Sequence, residues 1–258
     1  MQFCTINLFG SLTTEAAVFH KIMEQACKAA NELDAAVVTG HTGTYDSLST
    51  VVGVCTGYGH VDKNMLVTPG GAKPGDHVAC INPIGLETAV NLALTHGALA
   101  EKLFGVERTK ELTKLVTLQS CVKEALLLAE TKEVHAMHDA TEGGLTAALN
   151  EMPEASNVGF EFEWEHLLIP NEVQALRQFY ELSPVQVLSL SSTGTFLVAV
   201  SPEDKAKIES VLSQNRIEAR FIGSFTKDKK RILIKNWKKQ YFPRESDDPY
   251  TKLLAKKP

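Results

Sequence analysis

The spacing of apolar and polar positions along this chain switches between two periods, and the switches mark the elements. Residues 3–9 set Cys4, Ile6 and Leu8 against Phe3, Thr5 and Asn7, the two-residue period of a strand. The period then lengthens. Ser11, Thr13 or Thr14 can cap a helix with Glu15 in its first turn, and Phe19, Ile22, Met23, Ala26, Ala30 and Leu33 mark its buried face. Residues 35–39 and 51–56 read as short strands, the first leaving through Gly40-His41-Thr42-Gly43. Lys73-Pro74-Gly75-Asp76 has Pro and Gly where a type II turn wants them, and a strand follows over 77–81. Asn82-Pro83-Ile84-Gly85 then leads into helices expected over 86–104 and 109–130. Two consecutive helices of that length suggest a domain seam near residue 131.

Beyond the seam, Val134, Ala136 and Met137 form a short apolar run that reaches the polar turn His138-Asp139-Ala140-Thr141-Glu142. The turn opens on Gly143-Gly144, and Leu145, Ala148, Leu149 and Met152 then fall on one helical stripe. Strands are expected at 159–164, 195–200, 217–222 and 232–234, with helices at 171–180 and 201–212. Pro202 sits at the start of the second helix, where its missing N–H does no harm. From residue 236 the chain turns polar and is expected to wrap or fray. The order predicts an α+β protein of two units, each a mainly antiparallel or mixed sheet with helices on one side. The expected bounds are 1–131 and 132–235, with a tail over 236–258.

Composition narrows the class. The 258 residues are 44% hydrophobic and 22% charged, enough for a substantial core in a soluble protein. A net charge of −5 gives no bulk attraction to nucleic acid. No apolar run approaches the ~20 residues of a membrane span. The first residues carry no basic segment of the secretory kind, so a cytoplasmic protein is expected. Five scattered cysteines without a Cys-x-x-Cys pair read as free thiols in a reducing compartment.

Four turns could carry chemistry. In the first, the Gly143-Gly144 pair permits close approach, and free N–H groups at the helix start suit an anion. Asp139 beside it can cap the helix or offer a carboxylate to magnesium, which prefers carboxylate, phosphate and water oxygens. Local pattern alone favours a capped helix. His135-x-x-His138 has the look of a metal pair, but positions three apart in a strand face opposite ways. The second turn, Gly40-His41-Thr42-Gly43, offers an imidazole and a hydroxyl at a strand end, followed by Tyr45 and Asp46. The turns at 82–85 and 191–194 are suited to an anion or to plain turn chemistry.

Taken together these segments resemble the aminoimidazole ribonucleotide synthetase superfamily. That group includes the hydrogenase-maturation dehydratase, selenophosphate synthetase, thiamine monophosphate kinase and a domain of formylglycinamide ribonucleotide amidotransferase. VTGHT (38–42) is similar to its GGHT/GGET loop, and KPGDHVACINPIGLETA (73–89) to its PGD-strand-LG-helix segment. HAMHDATEGGLTAALNEM (135–152) resembles the D-x-T-x-G-G-L turn in a form nearest the hydrogenase-maturation branch. IPNEV (169–173), SSTGTFLVAV (191–200) and EARFIGSFT (218–226) match in order and spacing.

The resemblance implies a two-domain fold, a homodimer pairing its N-terminal domains, and a Mg-ATP cleft between domains. It implies ATP and Mg²⁺ as cofactors, with Asp139 as magnesium ligand and catalytic group. Gly40, His41, Thr42, Thr141, Gly143 and Gly144 would contact the nucleotide, His41 also catalytically. The substrate would be a small molecule or a protein carboxamide whose oxygen is activated. Relatives also carry an N-terminal Gly-Asp-Asp-Ala-type acidic motif that is not seen here, and the hydrogenase-maturation enzyme ends in a functional cysteine where this chain ends in Lys-Pro. A non-catalytic nucleotide-binding or assembly subunit is therefore the alternative expectation, with a His135/His138 metal hydrolase as a third class.

Overall fold

The structure, a computed structural model, describes residues 2–245 and 247–255. The chain divides into two compact units, Met1–Leu66 and Val67–Pro258. The division overturns the seam expected near residue 131, which falls inside the second unit. The reason is pairing: the strand at 77–81 is a central member of the same sheet as the strands beyond 131, so the intervening helices cannot be separated from it.

In the first unit, β1 (Phe3–Ser11) is followed by α1 (Ala16–Asn31), β2 (Ala36–Tyr45) and β3 (Val52–Tyr58). β1 is central, parallel to β2 and antiparallel to β3. The two-residue period does what it predicted: Cys4, Ile6 and Leu8 are buried, in one core with Phe19 and Ala30 of α1. The opposite face leaves Phe3, Val52, Val54 and Tyr58 exposed. Residues 40–43 are not a turn. β2 continues through them, because every residue from Gly40 to Tyr45 pairs with β1. Tertiary pairing overrides the local glycine signal, and Gly40 has its own reason: a Cβ there would stand 1.9 Å from the Ile6 carbonyl oxygen.

The second unit is built on a seven-stranded sheet. Its strands are β4 (His77–Ile81), β5 (Val134–Asp139), β6 (Gly159–Glu163), β7 (Phe196–Val200), β8 (Ala219–Thr226), β9 (Arg231–Lys235) and β10 (Lys238–Tyr241). They lie in the order β10-β9-β6-β8-β4-β7-β5, antiparallel except for the β6–β9 pair. Helices α2 (Leu86–Thr95), α3 (Gly97–Phe104), α4 (Val106–Lys114) and α5 (Val122–Glu130) separate β4 from β5. The rest are α6 (Gly144–Ser156), α7 (Asn171–Phe179), α8 (Pro184–Leu188), α9 (Lys205–Gln214) and α10 (Tyr250–Ala255).

Helices cover both faces of the central strands, a correction to the one-sided expectation. Val78, Cys80, Leu197 and Ala199 join the core of α6, with Leu145, Leu149 and Met152. Their neighbours Ala79, Ile81, Phe196, Val198 and Val200 join the opposite core, with Leu128 of α5 and Ile208 and Leu212 of α9. A strand buried on both sides reads as a continuous apolar run, as FLVAV does.

Two long helices expected from periodicity are broken. His96, with φ −133° and ψ 53°, separates α2 from α3. A 3₁₀ turn, Leu115–Gln119, separates α4 from α5. The tail from residue 236 is not frayed where it is described. β10 completes the sheet edge, with Lys238 and Lys239 on it as edge strands favour. Phe242 is 4% exposed and stands edge-on to Phe160 and Phe162, at centroid distances of 5.2 and 6.1 Å. Phe242→Ala is expected to destabilise the second unit by about 3 kcal/mol, as large-to-small core changes do. Urea unfolding measures it, and a change of only a few tenths would mean that the segment is not held by this ring.

Candidate functional site

β5 ends on His138 and Asp139, and the chain turns through Ala140–Gly143 into α6. The turn is held from below. Ala140 is fully buried; its N–H donates to the Thr195 carbonyl (2.9 Å), and its own carbonyl accepts from Ser192 N–H (3.1 Å). The carboxylate stands clear of this frame: the Asp139 side chain is 55% exposed, and its Oδ2 accepts from Thr141 Oγ1 at 3.0 Å.

His138 is the group that tunes it. Its Nδ1 donates to the Asp139 carbonyl (2.8 Å) and faces Asp139 Oδ1 (3.5 Å), while Nε2 meets Glu151 Oε2 of α6 at 2.9 Å. The Asp139 side chain, more than the partial burial that opposes it, pushes the imidazole pKa up to about 9. The same contact holds the Asp139 carboxyl at about 2, helped by Thr141. At neutral pH the turn therefore presents an imidazolium between two carboxylates, with Asp139 ionised.

The sign of the linkage follows. A histidine stabilised as the cation contributes fully below its ordinary pKa of ~6.5, and its contribution is lost as pH rises through about 9. After allowance for solvent screening the loss is about 1–2 kcal/mol. Unfolding free energies at pH 6 and pH 9.5 should differ by that amount in the wild type and much less in His138→Gln. An NMR titration of His138 centred near its ordinary value would refute the pairing.

The glycine pair differs from expectation. Gly144 (φ +55°) is where backbone meets backbone: a Cβ would lie 2.4 Å from the Leu190 carbonyl oxygen and 2.6 Å from that of Leu188. Close packing of α6 on the 188–190 segment therefore demands glycine there. Gly143 (φ +74°) donates its N–H to Asp248 Oδ2 at 3.1 Å, and Asp248 Oδ1 accepts from Tyr250 N–H at 2.9 Å and Ser191 N–H at 3.4 Å. The chain's own carboxylate thus answers N–H groups that would otherwise suit an anion.

The turns at 82–85 and 191–194 also answer each other. Gly85 N–H donates to Ser192 Oγ (2.7 Å), and Asn82 Nδ2 donates to the Gly194 carbonyl (2.8 Å). Thr193 N–H donates to Glu87 Oε2 (2.7 Å).

A cavity of about 590 Å³ adjoins the Asp139 turn, lined by Thr141, Glu142, Gly143, Ser191, Thr193, Glu87, Asp248 and Tyr250 among others. Among the described residues three carboxylates and no basic side chain line it, so a polyphosphate would enter with cations to offset repulsion. A larger cavity, of about 670 Å³, includes Leu86, Phe104, Arg108 and Glu172 and none of the turn's residues.

His135 and His138 take separate partners. His135 Nδ1 meets the buried Asp76 carboxylate at 2.8 Å, and its Nε2 accepts from Lys73 Nζ at 3.0 Å. Among the described residues no group of three or more His, Cys, Asp or Glu side chains is placed to hold a metal ion. Magnesium here would rest on Asp139 together with ligand and water oxygens, which its ionised, half-exposed carboxylate suits.

Gly40, His41 and Thr42 lie in the first unit, on β2. His41 is exposed, with Nε2 3.4 Å from Tyr45 Oη and its ring 6.1 Å from that of Phe9. Glu87, Glu151 and Asp248 also bear on the turn. No local signal marks them, since they reach the turn from other elements.

The family model for the C-terminal domain of AIR synthase related protein matches residues 73–236. The chain is 27% identical over 216 residues to a hydrogenase expression/formation protein of Methanocaldococcus jannaschii, covering 83% of this chain and 61% of that one. It is 29% identical over 219 residues to the carbamoyl dehydratase HypE of Azotobacter vinelandii, covering 83% and 60%. The chain thus spans about three-fifths of the length of these relatives. A crystal structure of the hydrogenase maturation protein HypE in complex with ATP superposes with a TM-score of 0.76 at 17% identity, covering 96% of this chain and 75% of that one.

Proposed function

Because the chain belongs to the AIR synthase-related protein family, we propose that it binds Mg-ATP and activates an amide or acid oxygen by phosphoryl transfer. The observation that carries this reading is the Asp139 turn. Its carboxylate is ionised at neutral pH, half exposed and braced by His138 and Thr141, and the next residues of the turn, Thr141, Glu142 and Gly143, line a cavity that admits a polyphosphate only with cations. Relatives named carbamoyl dehydratase and a homologous fold crystallised with ATP support the same class.

In this reading Asp139 holds magnesium, and Thr141 fixes the carboxylate's orientation. When bound, the ion supplies positive charge against the oxygens of the transferring phosphoryl group. His138, locked as a cation by Asp139 and Glu151, keeps Asp139 ionised and in place. His41 and Thr42 on β2 stay candidates for nucleotide contact in this reading, His41 also as a catalytic group. Gly40 serves the β1–β2 pairing. The exposed apolar face of Phe3, Val52, Val54 and Tyr58 suits a second copy of the chain, giving a homodimer through the first unit. The substrate is a small molecule or a protein carboxamide. No described helix is long and apolar enough to cross a membrane, and cytoplasmic action is part of the proposal.

A second reading, a nucleotide-binding or assembly subunit without turnover, draws on Asp248, which occupies the N–H groups of Gly143 and Ser191. Calorimetry with ATP, with and without magnesium, tests binding, and phosphate release tests turnover. Binding with release supports the enzyme, and binding without release supports the second reading. Absence of magnesium-dependent binding removes both.

A further inference from the structure

The first unit gathers three of the chain's five cysteines, Cys4 on β1, Cys27 on α1 and Cys55 on β3. Their sequence separation gives no hint of this. Cys4 alternates with its neighbours onto the helix-covered face beside Ile6 and Leu8. In the β1–β3 register Ile6 stands opposite Cys55, and Cys4 opposite Gly57. Cys4 and Cys55 therefore share one face as diagonal neighbours on adjacent strands, a spacing across which side chains meet. The thiols sense one another: burial first, then the nearby Cys55 and Cys27 groups, push the Cys4 pKa up.

Their exposures differ in a way that matters. Cys4 is 2% exposed, Cys55 is exposed, and both are free thiols. An exposed cysteine beside a buried one has the layout of a peroxide-reactive thiol with its resolving partner. Among the described residues β3 is an edge strand, hydrogen-bonded to β1 alone, and all seven of its residues are exposed. It can therefore make the small shift that closes a diagonal pair to disulfide distance.

We propose that Cys4 and Cys55 form an oxidisable dithiol, a site at which a hydroperoxide converts the pair into a disulfide joining β1 to β3. The Cys55 thiolate attacks a peroxide oxygen. An S–O bond forms, the O–O bond breaks, and the departing hydroxide is protonated to water in the case of hydrogen peroxide. The Cys4 sulfur then attacks the Cys55 sulfenic acid. The S–S bond forms, the S–O bond breaks, and the hydroxide leaves as water with the Cys4 proton. Two thiols are oxidised, and one peroxide is reduced to two waters.

The test treats the whole chain with stoichiometric hydrogen peroxide, alkylates it under denaturing conditions and maps the peptides. Two of the five thiols should escape alkylation, with a linked Cys4–Cys55 peptide, a mass lower by about 2 Da and full reversal by dithiothreitol. Cys55→Ser replaces an exposed side chain, so it should fold; it should lower the yield of internal disulfide at least about tenfold. Cys121→Ser should leave the yield unchanged. A Cys27-linked peptide, a bridge between chains, Cys55 sulfinic acid without a bridge, or five alkylatable thiols would each overturn the proposal. The wild-type map decides even if a variant misfolds.

Discussion

Gly144→Ala is expected to cost about 3–5 kcal/mol of unfolding free energy, the largest effect of any single methyl group at the candidate site. Two costs add. The backbone there has φ +55°, a left-handed conformation that charges an alanine about 1 kcal/mol. The new Cβ would also lie 2.4 Å and 2.6 Å from the carbonyl oxygens of Leu190 and Leu188, and main chain on both sides cannot step aside as a flexible side chain can. Gly75 separates the two costs. It too has a positive φ, +97°, but its Cβ would meet nothing within 4 Å, so Gly75→Ala should cost only the conformational part. Urea unfolding of the three proteins makes the comparison. Equal costs for the two variants would show that close packing of α6 on the 188–190 segment is not what demands glycine.

Asp139→Asn is expected to weaken magnesium-dependent ATP binding by about 100-fold, near 2.7 kcal/mol. An amide keeps the shape and the Thr141 contact but removes the charge that a divalent cation requires. The substitution also frees His138 from the partner that chiefly raises its pKa, so the imidazole should titrate closer to its ordinary range. Glu151→Gln distinguishes the two roles: it weakens the hold on His138 from α6 while leaving Asp139 in place. Calorimetry should therefore show magnesium-dependent binding lost in Asp139→Asn and largely kept in Glu151→Gln. Unchanged binding in Asp139→Asn would remove the turn from the nucleotide site altogether.

The turn shows how far a sequence can be read. The short apolar run, the polar turn and the 3.6-residue stripe of Leu145, Ala148, Leu149 and Met152 were legible, because these are periods of the local backbone. The structure has the strand and helix in those places. The glycine pair was legible as a constraint, but its cause was not. Whether a glycine faces a ligand or a neighbouring backbone depends on what arrives there, and Leu188 and Leu190 arrive from more than 40 residues away. His41 shows the opposite error. Four residues framed by glycines look like a turn, yet unbroken pairing with β1 holds them in a strand.

By itself, then, the sequence determined the order of most strands and helices, the α+β class, the apolar faces of α1 and α6 and the place of Asp139 in a polar turn between a strand and a helix. Those follow from side-chain period and turn chemistry, which act over a few residues. Only the tertiary structure decided where the units divide, that helices cover both faces of the central strands, and that residues 238–255 are part of the second unit. Strand pairing across long separations fixes such features, and no local period records it. The same holds for the Asp139 turn. Its acid was visible in the sequence, and its near neighbours His138 and Thr141 hold it ionised, but the N–H groups of Gly143 and Ser191 are answered by Asp248, which only folding brings there.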